Sequence, residues 1–151
     1  MKTLRYATLG VGLAIGLIAG YEGKSNRAYL DLVQVPTICY GSTQNVRLGD
    51  VKTDSECMQL LHDEVLRIDG IITRTVKVPL KNHERAAFIS FTYNLGEGNL
   101  YRSTLLRKLN AGDVRGACNE LLRWDRAGGK RVKGLMNRRA SERALCLGEP
   151  K

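Results

Sequence analysis

Sixteen consecutive residues without a charge, Tyr6 to Tyr21 (YATLGVGLAIGLIAGY), stand between a basic start (Met1, Lys2, Arg5) and the acidic Glu22. A run of this kind has to be buried in a core, in a bilayer, or in each in turn. As a helix it spans about 24 Å, short of the ~30 Å hydrocarbon layer. Gly10, Gly12, Gly16 and Gly20 make it weakly apolar. The flanking Lys2 and Arg5 would keep its amino end in the cytoplasm and send the rest across. Three fates stay open: an uncleaved weak anchor, which is the reading taken; a cleaved signal; and an ordinary core helix. The best cleavage match, Ala14-Ile15-Gly16, would leave only five residues before Glu22. Leu13, Ile15, Leu17 and Ile18 form a helical apolar face, so a segment that left the bilayer could pack into a soluble core.

The remaining chain has the length of one domain. Asp54-Ser55-Glu56 after Thr53 form a capping box that opens a helix through Met58, Leu61, Val65 and Ile68 as far as Ile72. Residues 27–41 are β-branched and aromatic, interrupted by Pro36, and read as an antiparallel hairpin. Further helices are expected over Asn82–Leu95, from Ser103 to Leu109, from Asp113 to Trp124, and over Leu135–Leu147. The expected fold is α+β: a mostly helical, two-lobed domain with one small antiparallel sheet, the lobes joined by the Thr53 helix. Residues 1–21 form the anchor segment and 22–151 the folded domain.

Charge is uneven. Residues 101–151 hold thirteen Lys/Arg against five Asp/Glu, and residues 1–100 hold eleven against ten. A cationic half suits an acidic polymer: nucleic acid, anionic lipid or a carboxylate-rich wall. No nucleic-acid recognition motif accompanies it, so no nucleic-acid partner is expected. Cys39, Cys57, Cys118 and Cys146 include no C-x-x-C pair, and His62 and His83 lie apart from them, so neither a metal nor another cofactor is expected. Four cysteines in an exported chain point to two disulfides with three possible connectivities. Cys39–Cys57 with Cys118–Cys146 is favoured because each pair joins neighbouring elements.

Glu22, Asp31 and Thr37 follow the apolar run at the spacing E-x8-D-x5-T. A helix end feeding a hairpin can set two carboxyl groups across a cleft, one near apolar surroundings and one more solvated. Spacing alone is weak evidence. The wider pattern is stronger: YEGKSNRAYLDLVQVPTICYG, FTYNLGEGNLYRSTLLRKLNAGD and ACNELLRWDRAGGKRVKGLMNRRASER resemble, in order, the phage-type lysozymes of glycoside hydrolase family 24. That resemblance covers nearly all of residues 22–147. It implies a muramidase cutting the β-1,4 bond between N-acetylmuramic acid and N-acetylglucosamine in peptidoglycan strands. It also implies Glu22 as proton donor, Asp31 positioning or activating the water, Thr37 assisting, and inversion. Asn94, Gly96 and Ser103 would line the cleft as substrate-binding residues. The apolar segment resembles that of signal-arrest-release endolysins, which implies a monomer exported to the periplasm, first tethered to the inner membrane and then released. Thr37 stands where some such relatives carry a cysteine, so control by topology is expected rather than by a thiol, although a mispaired Cys39 in the tethered form stays open. Competing readings are a tethered cationic protein that lyses without catalysis, and a lytic transglycosylase leaving a 1,6-anhydro end. Trp124 is expected in the core. Arg138 and Arg139 are expected solvated or paired with Glu142. Glu97, His62 and His83 receive no role.

Overall fold

The structure is a computed structural model that describes residues 2–149, with side chains from residue 9 onward. Met1 and the side chains of Lys2 and Arg5, the basic start of the expected anchor, lie outside the described residues. Seven helices and two small hairpins run α1 Lys2–Tyr21, β1 Ser25–Leu30, β2 Pro36–Cys39, α2 Asp54–Thr75, α3 Asn82–Leu95, α4 Glu97–Arg102, α5 Thr104–Asn110, α6 Val114–Glu120, β3 Arg126–Ala127, β4 Lys130–Arg131 and α7 Lys133–Leu147 among the described residues.

The helix α3 is the centre. Seven consecutive residues, Ala86 to Thr92, are buried, so every side of the helix meets protein, as an apolar-all-round helix requires. α1, α2 and α7 pack against it. The apolar run therefore ends in the core. Val11, Ala14 and Ile18 are its buried residues, spaced for one helical face. A side chain at Gly10 would meet Arg85 Cδ at 3.3 Å and the Asn82 carbonyl at 3.5 Å, so this glycine lets α1 approach the start of α3. The face differs from the expected one: Ile18 is buried and Ile15 packs at the margin, but Leu13 is 45% exposed. The 100° rotation per residue puts Leu13 on the far side from Val11 and Ile18. Among the described residues, no helix is long and apolar enough to cross a membrane.

The small lobe rests on four buried residues, Ala28, Ile38, Cys39 and Cys57. β1 and β2 pair antiparallel, with Tyr29 opposite Thr37 and Leu30 opposite Pro36. Thr53 and Glu56 close the capping box reciprocally, Thr53 Oγ1 accepting from Glu56 N and Glu56 Oε1 from Thr53 N. Two disulfides join Cys39 to Cys57 and Cys118 to Cys146, tying β2 to α2 and α6 to α7. This is the favoured pairing.

Three elements depart from expectation. The helix from Asp113 stops at Glu120 and tightens into a 3-10 turn, Leu121–Arg123, instead of reaching Trp124. A second sheet is present: Gly128 and Gly129, with φ of 58° and 79°, turn a two-residue hairpin between β3 and β4, the left-handed geometry such turns need. α4 fills the stretch between Gly96 and Ser103, for which no element was expected.

Candidate active site

α1 delivers Glu22. Its backbone N–H still donates to the Ile18 carbonyl at 2.8 Å, so the residue continues the helix by one bond. Tyr21, just before it, hydrogen-bonds α7: its hydroxyl donates to the Asn137 carbonyl at 3.1 Å and also contacts Ser141 Oγ. The end of α1 is thereby latched to α7, and the Glu22 carboxyl is set beside Arg138, whose Nη1 donates to Oε1 at 2.8 Å.

Arg138 belongs to a buried ionic cluster. Arg138, Arg139 and Glu142 are 4%, 0% and 0% exposed. Arg139 Nε lies 2.7 Å from Glu142 Oε1, and Arg139 Nη2 donates to Oε2 at 3.0 Å. Ser90 Oγ donates to Oε2 at 2.6 Å, and Arg138 Nε stands 3.5 Å away. Aromatic faces complete the cluster, with Arg138 5.6 Å from the Tyr21 ring centre and Arg139 5.6 Å from that of Phe91. Trp124 meets Phe91 edge-on at 5.4 Å, a core role as expected. Burial works against both charges: it pushes the Glu142 carboxyl up and the Arg139 guanidinium down, while their mutual attraction opposes each shift.

Asp31 is held differently. It sits where β1 leaves the sheet, and its Oδ1 accepts from the backbone N–H groups of Val33 and Val35, both at 2.9 Å. The turn is an Asx-type loop folded around its own carboxylate. Gln34, at φ 64°, takes the left-handed conformation within it. Among the described residues no hydrogen bond reaches Oδ2. Thr37 is 4% exposed, lies across from Tyr29, and donates its hydroxyl to the Val35 carbonyl at 2.9 Å. Asp31 and Thr37 thus meet on one turn, through Val35.

A cavity of about 1050 Å³ has Gly41, Lys52, Glu64, Arg67 and Tyr93 in its wall; Glu22, Asp31 and Thr37 are not among its lining residues. Gly41, at φ 92°, is the point of contact with Glu22: a side chain there would stand 3.5 Å from Glu22 Oε2. Tyr93 donates to the Tyr40 carbonyl at 2.5 Å and so joins α3 to the turn after β2. Burial raises the Tyr93 phenol first, and the negative charges of Glu22 and Glu64 add to it, so it stays a neutral donor. Arg67 closes one edge, bonding Glu64 on α2 and Glu97 on α4.

The three residues expected to line the cleft separate. Asn94 is half-buried next to Tyr93 on the last turn of α3, and its buried Oδ1 takes no hydrogen bond among the described residues. Gly96, exposed at φ 87°, links α3 to α4. Ser103 is 3% exposed at the start of the helix expected from it, and its hydroxyl accepts from Leu106 N and donates to the Leu100 carbonyl as the N-cap of α5. The sequence reading left out Arg138 as a partner of Glu22, Tyr21 as a latch, and the Arg67–Glu97 pair. Only the grouping with Glu142 was signalled: it stands four and three residues after the two arginines, the spacing that stacks them on one helix face.

Comparison with known proteins agrees with this geometry. The family model described as phage lysozyme matches residues 19–142. The chain is 46% identical over 129 residues to the SAR-endolysin of Bacteriophage PS119, covering 85% of this chain and 77% of that protein. It is 39% identical over 150 residues to the SAR-endolysin of Pseudomonas phage phiKMV, covering 97% and 92%. Among solved structures, the endolysin from Escherichia coli O157:H7 phage FAHEc1 superposes with a TM-score of 0.81 at 31% identity, covering 92% of this chain and 94% of that one.

Proposed function

Since this chain belongs to the phage lysozyme family, we propose that Glu22 and Asp31 are the acid and base with which it cuts the peptidoglycan of a phage host. It is a phage endolysin, a glycoside hydrolase of the lysozyme type. Hydrolysis needs one carboxylic acid to protonate the leaving oxygen and one carboxylate to activate water on the opposite face of the sugar. The observation that carries the assignment is the placing of Glu22. A helix end latched by Tyr21, a buried guanidinium on Oε1, and Gly41, whose missing side chain would stand 3.5 Å from Oε2 and which itself lines the cavity, together fix one carboxyl next to that cavity's wall. Asp31, with Oδ1 tied to its own turn, has its other oxygen available to hold water, and Thr37 steadies that turn through Val35. Asn94 and Gly96 remain candidates for sugar contact. The bond cut is the β-1,4 link after N-acetylmuramic acid, with inversion.

Residues 1–21 act as a signal anchor that joins the catalytic domain, 22–151, only after release into the periplasm. The relatives named SAR-endolysins support this, and so does the structure of the segment. Gly12, Gly16 and Gly20 lie on the outer side of α1 with nothing within 4 Å. Each costs the helix about 1 kcal/mol relative to alanine, and no contact in this fold offsets that cost. They weaken the segment's hold on a bilayer, which suits a tether that must let go. While α1 is in the membrane, Tyr21 cannot reach α7 and Glu22 cannot reach Arg138.

Mass spectrometry of purified peptidoglycan digested by the wild type and by Glu22→Gln tests the reading. Reducing muramic-acid ends from the wild type alone are expected. Anhydro ends would replace hydrolysis with a transglycosylase, and equal lysis by a folded Glu22→Gln would leave a cationic protein acting without catalysis.

A further inference from the structure

We propose that Lys52 recognises a carboxylate of the glycan strand and gives the cleft its preference for charged, muramyl-bearing polymer over neutral glycan; this rests on the muramidase reading above. Four charged side chains stand in the cavity wall: Lys52, Asp63, Glu64 and Arg67. Arg67 is fully engaged, its Nε and Nη2 on Glu64 and its Nη1 on Glu97, and Glu64 is engaged with it. Asp63 accepts the Gln59 amide at 2.8 Å. Of the two cations, Lys52 is the one without an acidic partner among the described residues. Its backbone is pinned on both sides by Asn26, with Lys52 N donating to the Asn26 carbonyl and Asn26 Nδ2 donating to the Lys52 carbonyl, each at 2.8 Å. Asn26 is pinned in turn by Asp54, at 2.9 Å. The ammonium makes no ion pair or hydrogen bond among the described residues; its charge reaches Glu56 only as the weakest of the effects on that carboxyl. A fixed backbone carrying an unengaged cation into a cavity is the arrangement of a ligand contact.

The chemistry of the polymer says what it would meet. N-acetylglucosamine carries no charge. N-acetylmuramic acid carries a lactyl group that ends either in a free carboxylate or in a peptide with carboxylates of its own. The cavity, about 1050 Å³, is at the top of the ~300–1,000 Å³ range of small-molecule clefts, so it has room for a branch beside the sugar backbone. A lysine fits this task because it is a point charge on a flexible stem and tolerates a carboxylate that arrives in several poses.

The test measures KM and kcat for the wild type, Lys52→Gln and Lys52→Arg on three soluble uncrosslinked polymers. These are native peptidoglycan strands, the same strands with carboxyls amidated by carbodiimide and ammonia, and strands stripped of peptide by an amidase. Lys52→Gln should raise KM by about fivefold on native strands, the size of an exposed ion pair. The difference should shrink below about twofold on amidated strands, and Lys52→Arg should restore most of the loss. Persistence on stripped strands shows that the lactyl carboxylate freed by the amidase can take the place of the peptide's, and loss there confines the contact to the peptide; either supports the inference. Equal effects on native and amidated strands, in variants whose thermal unfolding matches the wild type, overturn it. A wild type that cleaves none of the three overturns the muramidase reading and this inference with it.

Discussion

Glu22 and Asp31, the proposed acid and base, stand on opposite kinds of support. Glu22 stands on the large lobe, against the buried guanidinium of Arg138, which lies over the Tyr21 ring and 3.5 Å from Glu142, itself held by Arg139 and Ser90. Asp31 stands on a two-stranded hairpin, flanked by Leu32 and Val33 at 102% and 76% exposure, and is held by two backbone N–H groups of its own turn. The first support is assembled from residues 116 positions away in the chain, the second from residues two and four away. A group fixed by distant partners can be switched by moving one of them; a group fixed by its own turn is in place whenever the hairpin forms. The proposed acid, carried by the end of α1, is therefore the natural point of control, and the proposed base is not.

The largest effect should come from the buried support. Glu142→Ala strands two buried guanidiniums, and removing one partner of a buried ionic group costs about 3–5 kcal/mol. Urea unfolding should show that loss, and activity should fall with it, because Arg138 no longer has a fixed place beside Glu22. A loss under about 1 kcal/mol would put the cluster on the level of surface pairs and remove the contrast. Asp31→Asn probes the other side. Asparagine keeps an oxygen for the Val33 and Val35 N–H groups, so stability should hold within about 0.5 kcal/mol. Turnover should nevertheless drop by about 10²–10⁴, the size of general-base assistance. Stability and activity thus fall together at one carboxylate and separately at the other.

A third change sharpens the comparison between the lobes. The small lobe has four buried core residues, two of them the disulfide cysteines Cys39 and Cys57, so covalent bracing stands in for apolar burial. Replacing both by serine should cost about 3 kcal/mol, measured by thermal unfolding, and should disturb Thr37 two residues away more than Arg138. The Cys118–Cys146 bridge sits against the large core, and its removal should leave the Glu22 environment closer to native.

The sequence made the local parts of this molecule readable and left the non-local ones hidden. Thr53 and Glu56 announced their helix because a capping box is written in four adjacent residues. Glu22, Asp31 and Thr37 could be named because their spacing and the motifs around them lie in short stretches. The pairing of Arg138 with Glu22 could not, because nothing along the chain links two groups that only the docking of α1 on α7 brings together. Ser103 opens α5 as an N-cap, a signal written locally in a serine before an apolar helical run, whereas a cleft role depends on which way the capped helix faces. The buried side of α1 was misjudged, since Leu13, Ile15, Leu17 and Ile18 read as one apolar face although Leu13 turns away from the buried Val11, Ala14 and Ile18.

The smallest expected effect separates the two supports by acid. Hydrogen bonds from Thr53, backbone first, hold the Glu56 carboxyl below its ordinary 4.5, and Lys24 and then Asn26 hold Asp54 below its ordinary 3.8. A carboxyl lowered on folding adds stability above its unfolded value and loses it as pH falls through its folded value. The start of α2, which carries the small lobe, should therefore weaken progressively as pH drops from about 4.5. Glu142 has the opposite sign. Burial raises it, so its contribution is complete below its unfolded value and is lost only as pH rises through its folded one; acid does not draw on it. Hydrogen-exchange protection should accordingly fall in the first turn of α2, Asp54–Cys57, before it falls in the middle of α7. Glu56→Gln keeps an acceptor for the Thr53 N–H but has no proton to take up, so its α2 protection should start slightly lower at neutral pH and decline less in acid. Parallel decline of both helices, in wild type and variant alike, would mean that the two lobes lose their charges as one unit and that the division between local and distant support does not reach stability.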